Sequence, residues 1–582
     1  MSAAPPGPSP DIRYEPDERP PHLLSFGLGF QYALLVLAGI VLTPAIVIRA
    51  ASQSEAYLSW AIFAALVICG LTTTLQAARL WRIGSGHVLI MGTSGTFIAV
   101  CIAALVEGGP GLLATLIVVS SLFQFALSAR LALLRRIITP VVSGTVIALI
   151  AVTIMPIMFQ LLTEVPEGTP LAAAPVSAAV TLVTSVAFVL RASGIWRLWA
   201  PVIGIGVGCV AASLFGLYDT EQVGAAAWVG FPTGGWAGFD LSFGPAFWAL
   251  LPAFVFVTLV GAIETVGDTV AVQRVSWRTP RAVDFRTVQG SLAADGLGNL
   301  LSGFAATVPN TTYSSSVPLA ELTGVAARSV GVCMGIIFVV LAFFPKVTAL
   351  LLAIPNPVVG AYAIILFGLL FMQGMKIVVQ DGIDYRKAVV AGLSFWIGVG
   401  FQNGVIFADY FNETWGALLG NGMTMGGLAA VVLSLFMEVT GPRRRLEMGL
   451  NIEAVPNIER FLRGFASRLG WNTESTERLC SAGEETLLTL LRPEQGEQAD
   501  EGRRLLVVAR SDANAAELEF VSATGEQNLE DQLALLEEGA AGTPAEDELS
   551  LRLLRHFASS VRHQQYHDTA VVTVRVEASG VG

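Results

Sequence analysis

Glu264 and Asp268 lie four residues apart in FVFVTLVGAIETVGDTVAV, so a helix would present both carboxylates on one face. Asp295 sits in LAADGLGNLLSG and Glu321 in VPLAELTG, again among apolar and small residues. Acids inside apolar spans are costly, and they line transport pathways or take part in proton relay. No Lys or Arg in the same runs neutralises Glu264, so proton uptake is the natural way to remove its charge at membrane depth. The plainer reading, a carboxylate hydrogen-bonded in a packed helix interface, stays open for all four.

These acids need a polar cavity, and two interrupted stretches are the candidates to form it. In His87–Val100 (HVLIMGTSGTFIAV) a short β-branched run meets Gly92, Thr93, Ser94, Gly95 and Thr96. In Ala305–Leu322 (AATVPNTTYSSSVPLAEL) the apolar pattern is broken by Pro309, Asn310, two threonines, Tyr313, three serines and Pro318. Backbone leaves the helix at membrane depth only where protein or a cavity satisfies its polar groups. Each stretch is expected to feed a half-helix whose first N–H groups face the substrate. Two kinked helices that merely pack are the alternative. Phe254, Phe256, Phe304 and Tyr313 offer rings to stack on a planar ligand, although aromatics in spans mostly pack. His87 is expected at the membrane interface, not in proton transfer.

The elements that must hold these residues follow from composition. The 582 residues are 53% apolar and 14% charged, whereas soluble domains carry about 25% charged residues. That excludes an ordinary soluble enzyme. A net charge of −11 without a basic block excludes a nucleic-acid binder. Cys69, Cys101, Cys209, Cys333 and Cys480 lack metal-ligand or CxxC spacing, so neither a disulfide frame nor a metal site is expected. Apolar runs long enough to cross a bilayer fall near 24–48, 57–77, 87–106, 110–130, 139–163, 174–191 and 197–217. Seven more fall near 244–272, 286–304, 307–326, 327–350, 357–378, 385–403 and 414–439. The interrupted stretches are then spans three and ten, the third of each group of seven. Such matched interruptions are the best sequence pointer to a transporter's midplane site.

With fourteen spans, twenty Lys and Arg fall on one side and only Arg49 and Lys346 on the other. That positive-inside bias places both termini in the cytoplasm. Residues 446–582 hold 12 Arg against 24 acidic residues, while residues 1–445 are nearly neutral at +1. The expected organisation is a disordered Pro-rich lead-in over 1–22, a membrane unit over 23–440 and an acidic cytoplasmic domain over 441–582.

The stretches GFQYALLVLAGIVLTPAIV, LIMGTSGTFI, GAIETVGDT, ADGLGNLLSGF and VPNTTYSSSVPLAELTGVAAR together resemble the nucleobase–ascorbate transporters, also called uracil/xanthine permeases, over residues 20–440. The resemblance implies a polytopic α-helical membrane protein with 14 transmembrane segments in 7+7 inverted repeats, divided into core and gate. Substrate would sit between the half-helices of spans three and ten, where Thr93, Ser94, Tyr313, Ser315 and Ser316 lie. By position, Glu264 matches the glutamate that binds the base. Asp268 and Asp295 match acidic positions tied to proton or cation coupling. Gln31 matches the glutamine of a Gln-His pair, with Tyr32 where the histidine is common. After Thr-Tyr-Ser the family usually continues Gln-Asn or Glu-Asn; here Ser315-Ser316 follow. A serine reaches about two bonds less far, so a standard pose would lose a buried hydrogen bond, about 1–3 kcal/mol. A bulkier ligand, a water, or Glu321 would have to compensate.

The implied activity is secondary active transport of a planar heterocycle such as uracil, xanthine or urate, coupled to H⁺ or, less readily, Na⁺. No enzyme activity and no cofactor are expected. The implied setting is the cell membrane, multi-pass, as a homodimer. A sulfate-permease-type anion transporter shares the architecture and is the first alternative. A ligand-sensing scaffold, whose tail recruits a cytoplasmic protein partner, is the second. The tail should contain helices near 457–469, 474–491, 528–538 and 547–561 and strands near 504–510, 516–522 and 569–577. Its order is similar to histidine-kinase-type ATPase domains of the anti-sigma-factor class. Glu485 matches the helix glutamate, but Thr489 and Ala523 stand at the expected magnesium and adenine positions, which implies a fold without ATPase activity. His556, His563 and His567 are read as surface residues.

Overall fold

A computed structural model describes residues 12–131, 139–379 (except 219, 234, 237 and 280), 385–406, 422–440, 443–491, 504–512, 515–522 and 546–578 (except 568). The chain forms two compact units, Met1–Arg278 with Thr287–Leu435, and Thr279–Arg286 with Phe436–Gly582.

The first unit is helical because its long apolar runs leave the backbone no partner but itself. It opens with α1 (His22–Ala50) and α2 (Glu55–Ala78), the latter capped by Ser54 Oγ accepting from Tyr57 N–H. Next come the three-residue strand β1 (Met91–Thr93), a short 3₁₀ turn at Gly95–Phe97 and α3 (Ile98–Ala129). Gly109 breaks α3 with φ of 70°, a conformation open to glycine, and Pro110 starts the second half without an N–H to satisfy. The following helices are α4 (Pro140–Thr163), α5 (Ala173–Arg191), α6 (Ile195–Ser213) and α7 (Pro245–Val275). Then α8 (Phe285–Phe304) leads into strand β2 (Asn310–Thr312) and the short α9 (Ser316–Thr323). After these run α10 (Arg328–Ala342), α11 (Pro345–Leu352), α12 (Asn356–Val379), α13 (Tyr385–Gln402) and α14 (Gly422–Thr440).

Among the described residues, seven helices are long and apolar enough to cross a bilayer. The apolar run at 327–350, expected as one span, instead bends by 85° between α10 and α11 at Pro345. One packing group joins α1, α2, α3, α7 and α10; another joins α4, α5, α6, α12 and α13. Buried Tyr32, Ile40, Phe97, Phe254 and Phe338 occupy the core around the strand pair.

Residues 1–22 were expected to be disordered, yet 12–21 lie along the first unit as a strap. Arg13 N–H donates to Gly324 O at 2.7 Å, and Ala326 N–H donates to Tyr14 O at 2.9 Å. Arg278 donates to Glu18 at 2.6 Å and to the carbonyls of Ile12 and Arg13; Arg328 pairs with Asp17 at 2.8 Å. The strap thus fills backbone valences at the end of α9, which proline content does not reveal.

The second unit carries an antiparallel sheet of order β3-β4-β5-β7-β6. Its strands are β3 (Arg443–Gly449), β4 (Arg504–Asp512), β5 (Ala515–Ser522), β6 (Ser560–Gln565) and β7 (Ala570–Glu577). Helices α15 (Val455–Arg468), α16 (Thr473–Leu490) and α17 (Glu546–Phe557) complete it. Leu462, Leu479, Leu487, Val507, Phe520 and Val574 are fully buried there. The helix expected over 547–561 ends at Phe557, and 560–565 is strand. The helix expected over 528–538, and Ala523, lie outside the described residues. Thr489 donates its hydroxyl to Glu485 O at 2.7 Å.

His563 is not the surface residue its sequence context indicated. It is buried on β6, and burial brings its imidazole down to about 4 from 6.5. The folded domain keeps it neutral, whereas the unfolded chain takes up a proton near 6.5. Stability is therefore full above about pH 6.5 and falls as pH drops toward about 4, by up to about 3 kcal/mol. His563→Gln is expected to flatten that slope, read as hydrogen exchange of the β6 and β7 amides between about pH 7 and 5. An unchanged slope would assign the acid sensitivity elsewhere.

Candidate functional site

The two interrupted stretches meet. β1 and β2 pair antiparallel, with Met91 opposite Thr312, Gly92 opposite Thr311 and Thr93 opposite Asn310. Two further bonds extend the pairing, Ser94 N–H to Pro309 O and Tyr313 N–H to Ile90 O, each 2.8 Å. Because the strands run oppositely, the helices that follow them leave from opposite ends of the pair, each with its N-terminus toward the crossing. A Cβ on Gly92 would fall on the Tyr313 ring, so only glycine lets the ring lie across the strand. Tyr313 Oη then donates to Thr93 O at 3.0 Å.

Three acids surround this crossing. Asp268 accepts from Thr312 Oγ1 at 2.7 Å and from Ser314 Oγ at 2.6 Å, tying α7 to the second stretch. Asp295 Oδ2 accepts from Gln124 Nε2 at 2.6 Å and Thr265 Oγ1 at 2.7 Å, tying α8 to α3 and α7. Asn299 Nδ2 donates to Gln124 Oε1 at 2.8 Å, and its own Oδ1 accepts Asn310 N–H at 2.8 Å. Glu264 is different: it is half-buried, on the α7 turn after Gly261, whose Cα faces Phe97 and Thr311. Among the described residues it has no hydrogen bond or ion pair. Its carboxylate therefore keeps all its acceptor sites open among the described residues, whereas Asp268 and Asp295 have each taken two donors.

The crossing thus brings two half-helix N-termini and three acids together, and Glu264, half-buried, is the acid among them without a hydrogen bond among the described residues. A profile of the permease family that groups xanthine and uracil permeases matches residues 24–406. The chain belongs to that family. This permease is 29% identical to a putative purine permease of Clostridium perfringens, over 70% of its own length and 89% of the relative's. It is 28% identical to the xanthine permease XanP of Escherichia coli, over 73% and 94%. The solved transmembrane domain of a cyanobacterial bicarbonate transporter, BicA, aligns at 17% identity over 73% of this chain and 100% of that one. Its TM-score of 0.44 makes that match too loose to bear on function.

The other residues singled out in the permease sequence divide by whether their polar atoms are already engaged. Thr93 Oγ1 donates to α1 carbonyls at Gly39 and Ile40, each 3.2 Å away, and Ser94 Oγ pairs with Thr96 Oγ1 at 2.6 Å. Ser316 Oγ accepts Ile90 N–H at 2.9 Å and donates to Tyr313 O at 2.7 Å. These hydroxyls build the crossing. Ser315 Oγ is enclosed with no partner among the described residues. Glu321 is exposed on α9 and shares no hydrogen bond with the three acids, so it does not compensate for Ser315. Tyr32 is buried and bonds Thr323 Oγ1 at 2.7 Å and Leu319 O at 3.1 Å, fixing the end of α9. His87, expected at the interface, is 5% exposed beside Ser85 and Trp277. Phe254 packs against Phe97, and Phe304 against Phe239.

Gln124, Asn299 and Gln373 were missed, although each is an amide stranded in an apolar run (LFQFAL, GLGNLL, LLFMQGMK). That signal was available.

Proposed function

We propose that this permease is a secondary active transporter taking a planar heterocycle such as xanthine, uracil or urate into the cell, with H⁺ as the coupling ion and Na⁺ the lesser candidate. The observation that carries the reading is Glu264, which among the described residues has no hydrogen-bond or ion-pair partner, unlike Asp268 and Asp295. A carboxylate accepts ring N–H groups in the charge-assisted bonds that are about twice as strong as neutral ones. Such a site suits a lactam and repels sulfate or bicarbonate. Asp295 Oδ1 is buried with no donor among the described residues, a place for a proton or cation to sit. The family membership and the names of the relatives support the substrate class.

Fourteen spans in two inverted repeats of seven complete the proposal, and the close packings fit that symmetry. Gly70 of α2 approaches Gly335 of α10, and Gly303 of α8 approaches Val118 in the second half of α3. Exchanging span n with span n+7 converts the first contact into the second. It converts the approach of Gly144 on α4 to Gly374 on α12 into itself, and likewise the β1–β2 pair. The group holding α7 would move against the group holding α12, with both termini cytoplasmic in a homodimer at the cell membrane. The tail is read as a degenerate ATPase-like domain that offers a surface for a cytoplasmic protein partner.

Uptake of labelled xanthine and uracil by a permease-deficient bacterium is expected to compete with unlabelled purines and pyrimidines and not with sulfate or bicarbonate. A protonophore should abolish accumulation while sodium replacement leaves it. Competition by the anions alone would overturn the substrate class, and loss on sodium removal would replace the coupling ion.

A further inference from the structure

We propose that Gln373 of α12 is a specificity-determining residue that binds the amide edge of the substrate from a different packing group than Glu264. The inference rests on the nucleobase reading above and adds to it a second contact that ties affinity to the transport step.

Gln373 Nε2 lies 3.3 Å from Ser314 Oγ. Ser314 already donates its only proton to Asp268 Oδ1 at 2.6 Å, so its oxygen can only accept there. The Gln373 amide is thereby oriented, with NH₂ toward Ser314 and Oε1 away from it. Oε1 has no partner among the described residues, and one hydrogen of Nε2 is left over. An acceptor and a donor side by side on a fixed plane match the N–H and C=O of a lactam, the edge that xanthine and uracil present. Ser315, next to Ser314, has a hydroxyl without a partner among the described residues.

The second point of approach comes from the same helix. The Phe367 ring of α12 lies 3.6 Å from where a Cβ on Gly95 would be, at the start of the other half-helix. Thus α12 closes over both stretches of the crossing. Gln373 and Glu264 nevertheless belong to different packing groups, since α12 packs with α4 and α7 with α3. A base held by both residues bridges the two groups. Sliding one group past the other separates the two contacts and weakens the grip, which gives affinity a dependence on the transport step.

The test measures uptake kinetics for labelled xanthine and uracil, with membrane levels quantified, in wild type, Gln373→Ala, Gln373→Glu and Gln373→Ala/Ser315→Gln. Gln373→Ala is expected to raise KM at least tenfold with Vmax within about twofold. Gln373→Glu should reorder the preference among N-methylated analogues, because a carboxylate lacks the donor. The double variant should recover KM to within about threefold by supplying the amide from the N-cap of α9. If Gln373→Ala does not reach the membrane, the analogue order in Gln373→Glu decides the matter. Unchanged KM and unchanged analogue order in a wild type that does transport bases would overturn this role for Gln373 alone. No uptake of any base by wild type would overturn the nucleobase reading, and this inference with it.

Discussion

Glu264→Gln is expected to cut concentrative uptake of xanthine and uracil by on the order of 100-fold at unchanged membrane level. That corresponds to about 2.7 kcal/mol, within the range for losing a charged hydrogen-bond partner in a buried site. Glutamine keeps the shape of the side chain but neither the charge nor the exchangeable proton. Because Glu264 has no structural hydrogen bond among the described residues, the substitution removes nothing that holds the helices together. Asp268→Asn is the informative contrast. Asp268 accepts from both Thr312 and Ser314, so its loss should lower thermal stability as well as uptake. Uptake by Glu264→Gln within threefold of wild type would refute the role assigned to that acid.

Gly92→Ala should disable the protein by a different route. The added methyl lands on the Tyr313 ring, whose neighbours include the β1 backbone itself, so no flexible chain end can give way. Overpacking of this kind costs about 1–3 kcal/mol, and here it also prises apart the pairing of Gly92 with Thr311. A fall in melting temperature of several degrees and a loss of most uptake are expected. Tyr313→Ala alone should also be damaging, through the lost Oη bond to Thr93 O, but the pair together should be less harmful than the sum of the singles. Wild-type melting and uptake in Gly92→Ala would mean that the ring does not lie across the strand.

The crossing was legible because its chemistry is anomalous for a bilayer. Gly92 to Thr96 and Pro309 to Pro318 are residues a continuous apolar helix would not carry, and the observed strands overlap the first and lie within the second. Glu264 was legible for the same reason. What each hydroxyl does was not, since Thr93, Ser94 and Ser316 look alike in type and differ only in partners that are distant in the chain. Glu321 looked like a site acid, but helical phase turns it outward. In the tail, the strands read correctly, β4, β5 and β7, are the three inner ones, whose apolar residues are packed from the helix side. The two missed strands, β3 (RRRLEMG) and β6 (SVRHQQ), are the sheet's edges, where polar side chains mask the alternation.

The strap over residues 12–21 has a mechanical corollary. Its bonds stitch together three segments: the strap itself, the chain just after α7 at Arg278, and the junction of α9 and α10 at Gly324 and Arg328. Shear among them would have to rip out several backbone hydrogen bonds at once, so the cheaper excursion is for all three to travel as a block. Cutting the stitch should therefore leave the binding chemistry whole while letting the block warp, and the cell would register this as leak rather than as lost recognition.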